Sequence, residues 1–194
     1  EDAFVTLELS SFQLECIDTF HPHVAALLNF TPDHLNRHHT FEAYVDAKCR
    51  IYENQTEEDY CIFNYDDPLC REKALALQQR PHAPKVLFFS HTVPTPGGVW
   101  SEEGQIFADI DGTRIPVLKE NELQILGPHN IENAMAAFLC LSSAGVNLEL
   151  IQEGLKAFKG VAHRIEPVGI IDGVRYFNDS KGTNPDAAIK GLLA

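Results

Sequence analysis

Short apolar runs alternate along this chain with stretches whose apolar residues recur every three or four positions. Runs of the first kind suit strands buried on both faces; stretches of the second kind suit amphipathic helices. Phe4–Leu7, with a β-branched centre, predicts a buried interior strand, and Val24 to Phe30 predicts a second. Phe41, Tyr44, Val45, Lys48 and Tyr52 share one helical face, which predicts a helix from Phe41 to Glu53. Tyr60–Asn64 reads as a third strand and Lys85–Phe89 as a fourth. Between them Asp67 and Pro68 open a helix running to Gln79, with proline at the first helical position. Strands alternating with helices predict an α/β fold with a mostly parallel central sheet.

The rhythm changes after Gly97. Val99-Trp100, Gln105–Ile110 and Thr113–Val117 are short extended pieces, and Asp111-Gly112 supplies a hairpin turn. They predict a small antiparallel addition to the sheet. Helices follow at Asn130–Ser143, with Gly145 past its end, and at Leu148–Phe158. The pattern breaks again at Gly160 to Arg164, before Glu166–Ile171, an Asp172-Gly173 turn, Val174–Phe177, a polar loop and a terminal helix from Asp186 to Ala194. This places a domain boundary near residue 162, with residues 1–161 as one domain and 162–194 as the start of a second. The chain opens on a strand without an initiator methionine and ends within a helix, so it is expected to be a piece of a longer protein.

The 194 residues are 44% hydrophobic and 22% charged, an ordinary globular mixture. The formal charge of -13 argues against sequence-independent nucleic-acid binding, which needs basic surface. The five cysteines include no Cys-x-x-Cys pair, so reduced thiols are expected, and with them a cytoplasmic protein. No apolar stretch approaches the ~20 residues that span a membrane.

Several polar groups follow predicted strands, where ligands bind in open parallel sheets. Glu8 reads either as a Mg²⁺ ligand or as a cap on the next helix. Asp33-His34 closes the second strand, either as a ligand pair or as a capping Asp beside a surface His. Lys48 reads as a solvated lysine; as an ammonium it has donors only and cannot hold a metal. Asn130 and Asn133 share a helix face and could read a purine edge, or Asn130 could simply be an N-cap. Asn178 to Pro185 links a strand to a helix N-terminus, where Lys181 and Thr183 add donors for an anion. His21-Pro22-His23 and His38-His39 lack the i, i+4 spacing of a helical metal pair and read as surface loop. There is no Gly-x-x-x-x-Gly-Lys-Ser/Thr phosphate loop.

Taken together, several stretches resemble the Mur ligase family. They are Glu8-Leu9-Ser10-Ser11-Phe12-Gln13-Leu14-Glu15, Asn29 to His34, Ala47 to Tyr52, Gly127 to Asn133, His163-Arg164-Ile165-Glu166 and Asn178 to Asn184. Leu9-Ser10-Ser11-Phe12-Gln13-Leu14 is the most specific and is similar to the branch that adds D-glutamate. The resemblance implies a central ATPase domain followed by the start of a Rossmann-like C-terminal domain, with the family's phosphate loop upstream of Glu8. It implies a monomeric, ATP-dependent ligase joining D-glutamate to UDP-N-acetylmuramoyl-L-alanine for peptidoglycan, inactive as this piece alone. Glu8, His34 and a carbamylated Lys48 would serve two Mg²⁺ ions, with His34 and Lys48 catalytic. Ser10 would lie near the UDP-linked substrate and Thr183 near the γ-phosphate and D-glutamate. Asn130 and Asn133 would face adenine. Arg164 and Asp179 would meet the ribose and phosphates, and Lys181 the γ-phosphate. Gly182 stands where the family often has Ala. The alternatives are a folylpolyglutamate synthetase-like ligase and a non-catalytic nucleotide-binding module.

Overall fold

The computed structural model describes residues 3–194, apart from the side chain of Asp186. The chain begins with a one-turn helix α1 (Ser11–Leu14), then strand β1 (Val24–Leu27) and helices α2 (Leu35–His38) and α3 (Phe41–Cys49). A short 3₁₀ turn, Arg50–Tyr52, extends α3. Next come β2 (Tyr60–Asn64), α4 (Pro68–Gln78) and β3 (Lys85–Ser90), then β4 (Val99–Glu102), β5 (Gln105–Ile110) and β6 (Thr113–Lys119). Helices α5 (Pro128–Ser143) and α6 (Leu148–Ala157) precede β7 (Glu166–Ile171), β8 (Val174–Asn178) and α7 (Pro185–Leu192).

Six strands lie side by side in chain order, β1 to β6. β1, β2, β3 and β4 pair in parallel, and β5 and β6 complete the sheet antiparallel. Period-two alternation sends successive side chains to opposite faces. Ala25, Leu27, Cys61 and Phe63 meet Tyr44, Val45, Ala74 and Leu77 of α3 and α4 on one side. Ile62, Phe89, Val99 and Ile106 meet Met135, Phe138 and Ile151 of α5 and α6 on the other. The sheet is thus covered on both faces, as its nearly continuous apolar strands require. Asp111 and Gly112 both take positive φ, 52° and 77°, the backbone a tight two-residue hairpin needs. β7 and β8 form a separate two-stranded sheet whose apolar side chains, such as Ile170 and Val174, are exposed.

The strand expected at Phe4–Leu7 does not form. Phe4 and Val5 are 74% and 78% exposed. A strand needs a partner for its backbone groups, and β1 pairs only with β2 among the described residues. The strand expected to reach Phe30 stops at Leu27, where the chain leaves the sheet for the Asn29–His34 loop.

Candidate active site at the carboxyl ends of the strands

The loop leaving β1 gathers three of the expected residues or their neighbours. Lys48 reaches back from α3 and donates to the Asn29 carbonyl at 3.1 Å. Its Nζ lies 5.4 Å from the ring centres of both Phe30 and Tyr44. Lys48 is therefore no solvated lysine. Burial lowers its pKa below the ordinary lysine value, against weaker opposing effects of Cys70, Cys49, Asp67 and Asp33. A lowered pKa makes the neutral, nucleophilic amine accessible.

His34 adopts a left-handed backbone, φ 53°, at the start of α2, and its side chain makes no capping bond there. Asp33 Oδ1 accepts from the His34 N–H at 2.8 Å, and the imidazole is exposed. The Ser10 side chain caps α1, with Gln13 completing a reciprocal capping box, so Glu8 is not the cap. Glu8 is exposed and makes no hydrogen bond or ion pair among the described residues. Phe12 of α1 packs against His34 with ring centres 4.8 Å apart, which brings the Ser10–Phe12 turn beside the β1 loop. No three His, Cys, Asp or Glu side chains among the described residues gather as a ready-made metal cage.

A second concave region lies against α5. A cavity of about 760 Å³ is lined by Asn130, Asn133 and Arg164, with an apolar wall that includes Leu126, Ala134 and Phe158. Gly127 caps α5 with φ 92° and Pro128 is its first residue, so Asn130 stands inside the helix and is not its N-cap. Asn130 donates to the Leu126 carbonyl at 2.7 Å, and Asn133 donates to Asn130 Oδ1 at 3.2 Å. A primary amide offers two donors and an acceptor, so Asn133 retains a donor and its carbonyl beyond that bond. A wall of small and apolar side chains with a few oriented amides suits a flat heteroaromatic ring.

Asp179 accepts from the Ile165 N–H at 3.1 Å, and the Lys181 N–H donates to the His163 carbonyl at 3.0 Å. These bonds tie the loop before α7 to the Arg164 segment. Asn184 caps α7 and Pro185 opens it, as expected from sequence. Burial lowers the His129 pKa, and the charges of Lys190 and Arg164 lower it further against Asp179, so these groups share one neighbourhood. Lys181 and Thr183 are exposed on this loop and do not line the cavity. The structure thus forms two groups: Ser10, His34 and Lys48 around β1, and Asn130, Asn133, Arg164 and Asp179 around α5.

The surface reading of the remaining histidines holds for the exposed His21, His23 and His39 and needs correction at His38. His38 is buried, 6% exposed, because its ring is held by Ser11 and Glu15. His21 and His23 clasp buried Asp59 at 2.6 and 3.2 Å. Adjacent-histidine spacing carries no signal for such contacts, because both partners lie far away in the chain. Sequence reading also passed over Asp66, which accepts from Ser90 Oγ at 2.7 Å and the His91 N–H at 2.6 Å just beyond β2 and β3.

The family model "Mur ligase middle domain" matches residues 1–141. The chain belongs to the Mur ligase family. A relative from Clostridioides difficile (strain 630), named UDP-N-acetylmuramoylalanine--D-glutamate ligase, is 48% identical over 99% of this chain. A relative of the same name from Alkaliphilus oremlandii is 49% identical over 98% of it. This Mur ligase chain spans 41% of the length of both. Among solved structures, MurF from Acinetobacter baumannii matches with a TM-score of 0.68 and 23% identity, covering 87% of this chain and 36% of that one. MurF ligase from Thermotoga maritima in complex with ADP matches at 0.61 and 21%, covering 88% and 38%. Those two likenesses show that the Mur ligase fold is shared.

Proposed function

We propose that this chain is the central part of a ligase that uses ATP to join D-glutamate to UDP-N-acetylmuramoyl-L-alanine in peptidoglycan synthesis. The observation that carries this reading is the 48% identity, across nearly the whole chain, to a relative bearing that activity's name. Residues 1–161 form the nucleotide-handling domain, and residues 162–194 begin the next, with β7 and β8 in their own sheet. Adenine fits the cavity of Asn130 and Asn133, with Arg164 and Asp179 toward ribose and phosphates; the fold-mate from Thermotoga maritima is described in complex with ADP. Lys181 and Thr183 lie on the loop that would meet the γ-phosphate and D-glutamate, and Ser10 beside the UDP-linked acceptor.

Glu8, His34 and Lys48 would serve Mg²⁺. Of these groups the Glu8 carboxylate supplies the oxygen that suits this ion, which is held through one or two carboxylates and keeps water and phosphate oxygens. Glu8 is an exposed carboxylate with no other partner among the described residues, so it is available for such a role. Mg²⁺ would neutralise phosphate charge during transfer. The buried, pKa-lowered amine of Lys48 suits carbamylation, which would turn it into an oxygen ligand. The acceptor carboxylate attacks the γ-phosphate, the bond to the β-phosphate breaks, and ADP leaves as the acyl phosphate forms. The amine of D-glutamate then displaces phosphate and forms the amide. Orientation and exclusion of water are this chain's main contributions to both steps.

The test is phosphate release by the full-length parent. Release that requires both UDP-N-acetylmuramoyl-L-alanine and D-glutamate is expected. Release driven instead by a folate acceptor would replace this reading with a folylpolyglutamate synthetase-like one, and no release with any acceptor would favour a non-catalytic module.

A further inference from the structure

Ser11, His38 and Glu15 form a chain of side chains that the proposed chemistry does not use. Ser11 Oγ lies 2.9 Å from His38 Nε2, and His38 Nδ1 lies 3.2 Å from Glu15 Oε1. The serine and imidazole share a hydrogen bond, and the Glu15 carboxylate stands at ion-pair distance from the far ring nitrogen. Serine, imidazole and carboxylate follow one another as in a hydrolase triad. A nucleophile must meet its substrate, however. Ser11 is 5% exposed and does not line the cavity against α5.

The same imidazole has two further contacts. It stacks on Phe12 at 5.5 Å and stands edge-on to Tyr44 at 5.6 Å. Tyr44 is the ring beside Lys48, and Phe12 is the ring beside His34. Arg37 adds an outer tie to Glu15 at 3.0 Å. Helix α1 has four residues, too few to hold itself by its own ladder, so its place is set by what it touches.

We propose that His38 is a positioning residue that, through Ser11, Glu15 and Tyr44, fixes the Ser10–Phe12 turn against the helix bearing Lys48. The inference rests on the ligase reading, in which that spacing sets how the acceptor carboxylate meets the γ-phosphate. Displacing a reacting group by about 1 Å costs on the order of a hundredfold in rate, so a modest tilt of α1 is enough to register.

The experiment compares His38→Ala with wild type in the full-length parent, by kinetics and by backbone amide exchange. We expect kcat to fall by roughly tenfold or more and KM for the UDP-linked acceptor to rise, while KM for ATP stays within about twofold. Asn130 and Asn133 stand on a different helix, which is why ATP is spared. Faster exchange is expected at residues 11–15. A merely structural role would lower thermal stability and leave kcat per active site and every KM unchanged; that result overturns the proposal. If His38→Ala fails to fold, Ser11→Ala and Glu15→Gln each cut one arm. Each should show the same kinetic signature more weakly, and their combination should fall short of additive. Wild-type kinetics in both would overturn it as well. Failure of the ligase reading is seen separately, in a wild-type parent that releases no phosphate. The exchange at residues 11–15 then decides alone: faster exchange in His38→Ala supports the positioning role, and unchanged exchange ends it.

Discussion

At the scale of single residues, Lys48 and Gly191 make the sharpest claims. Lys48 is held in a pocket of two aromatic rings, and burial lowers its pKa from the ordinary lysine value. The unfolded chain therefore binds this proton more tightly than the folded one. Between the folded value and the ordinary 10.5, stability must rise with pH, and below that window the buried ammonium opposes folding. Lys48→Met should flatten that alkaline rise in denaturant titrations while lowering kcat of the parent by roughly a hundredfold. Added bicarbonate should not restore it. An unchanged alkaline slope would mean that Lys48 keeps its ordinary pKa in the fold. Gly191 acts on a neighbour. A methyl group there would overlap Asp179 Oδ2, whereas one at Gly182 would approach the same oxygen at 2.9 Å. Gly191→Ala should therefore displace Asp179 and raise KM for ATP more than Gly182→Ala does. Equal values for the two variants would show that the Asp179 carboxylate does not contact the nucleotide.

At the scale of elements, the amino ends of β1 and β2 are fastened by Asp59. His21, the Thr56 N–H and His23 all bond its carboxylate. Burial alone would raise the Asp59 pKa, but these bonds outweigh it and hold the value at about 2. The unfolded chain protonates near 3.8, so the stabilisation is full above that pH and is lost as pH falls through about 2. Asp59→Asn should cost about 1.5–3 kcal/mol at pH 7 and lose most of that difference in strong acid, measured by urea titration at several pH values. A penalty that did not depend on pH would point to lost packing in place of lost charge. Most elements were legible because each carries a local signal. Asp67-Pro68 starts α4 and Asp111-Gly112 turns β5 into β6 as read, since capping and turn chemistry depend on residues only a few positions apart. Phe4–Leu7 failed for the complementary reason: an apolar run specifies a strand only where a partner edge accepts it. α1 and α2, a single turn each, fall below the length at which periodicity is visible.

At the scale of the whole molecule, the two residue groups at the sheet end were legible in unequal measure. The i, i+3 spacing of Asn130 and Asn133 already put both amides on one face, and the cavity there agrees. That Lys48 is buried, or that His38 joins α1 to α3, depends on contacts between distant segments, which residue spacing does not encode. The cavity also sets a limit on affinity. Its wall and two amides can hold a base, but these 194 residues contain no glycine-rich phosphate cradle with its lysine. Such a cradle supplies many of the backbone N–H groups that bind a triphosphate, so under the proposed reading adenine contacts would bear most of the binding alone. A millimolar constant corresponds to about 4 kcal/mol, in keeping with one ring in one apolar slot, whereas micromolar binding needs about twice that. Calorimetry on the 194-residue chain should therefore find ATP bound at millimolar strength or weaker, and adenosine bound nearly as well as ATP. Asn133→Ala should weaken both alike. Micromolar binding of ATP with adenosine far behind would mean that these residues hold the phosphates by themselves, and the Arg164 and Asp179 neighbourhood would then be the phosphate site.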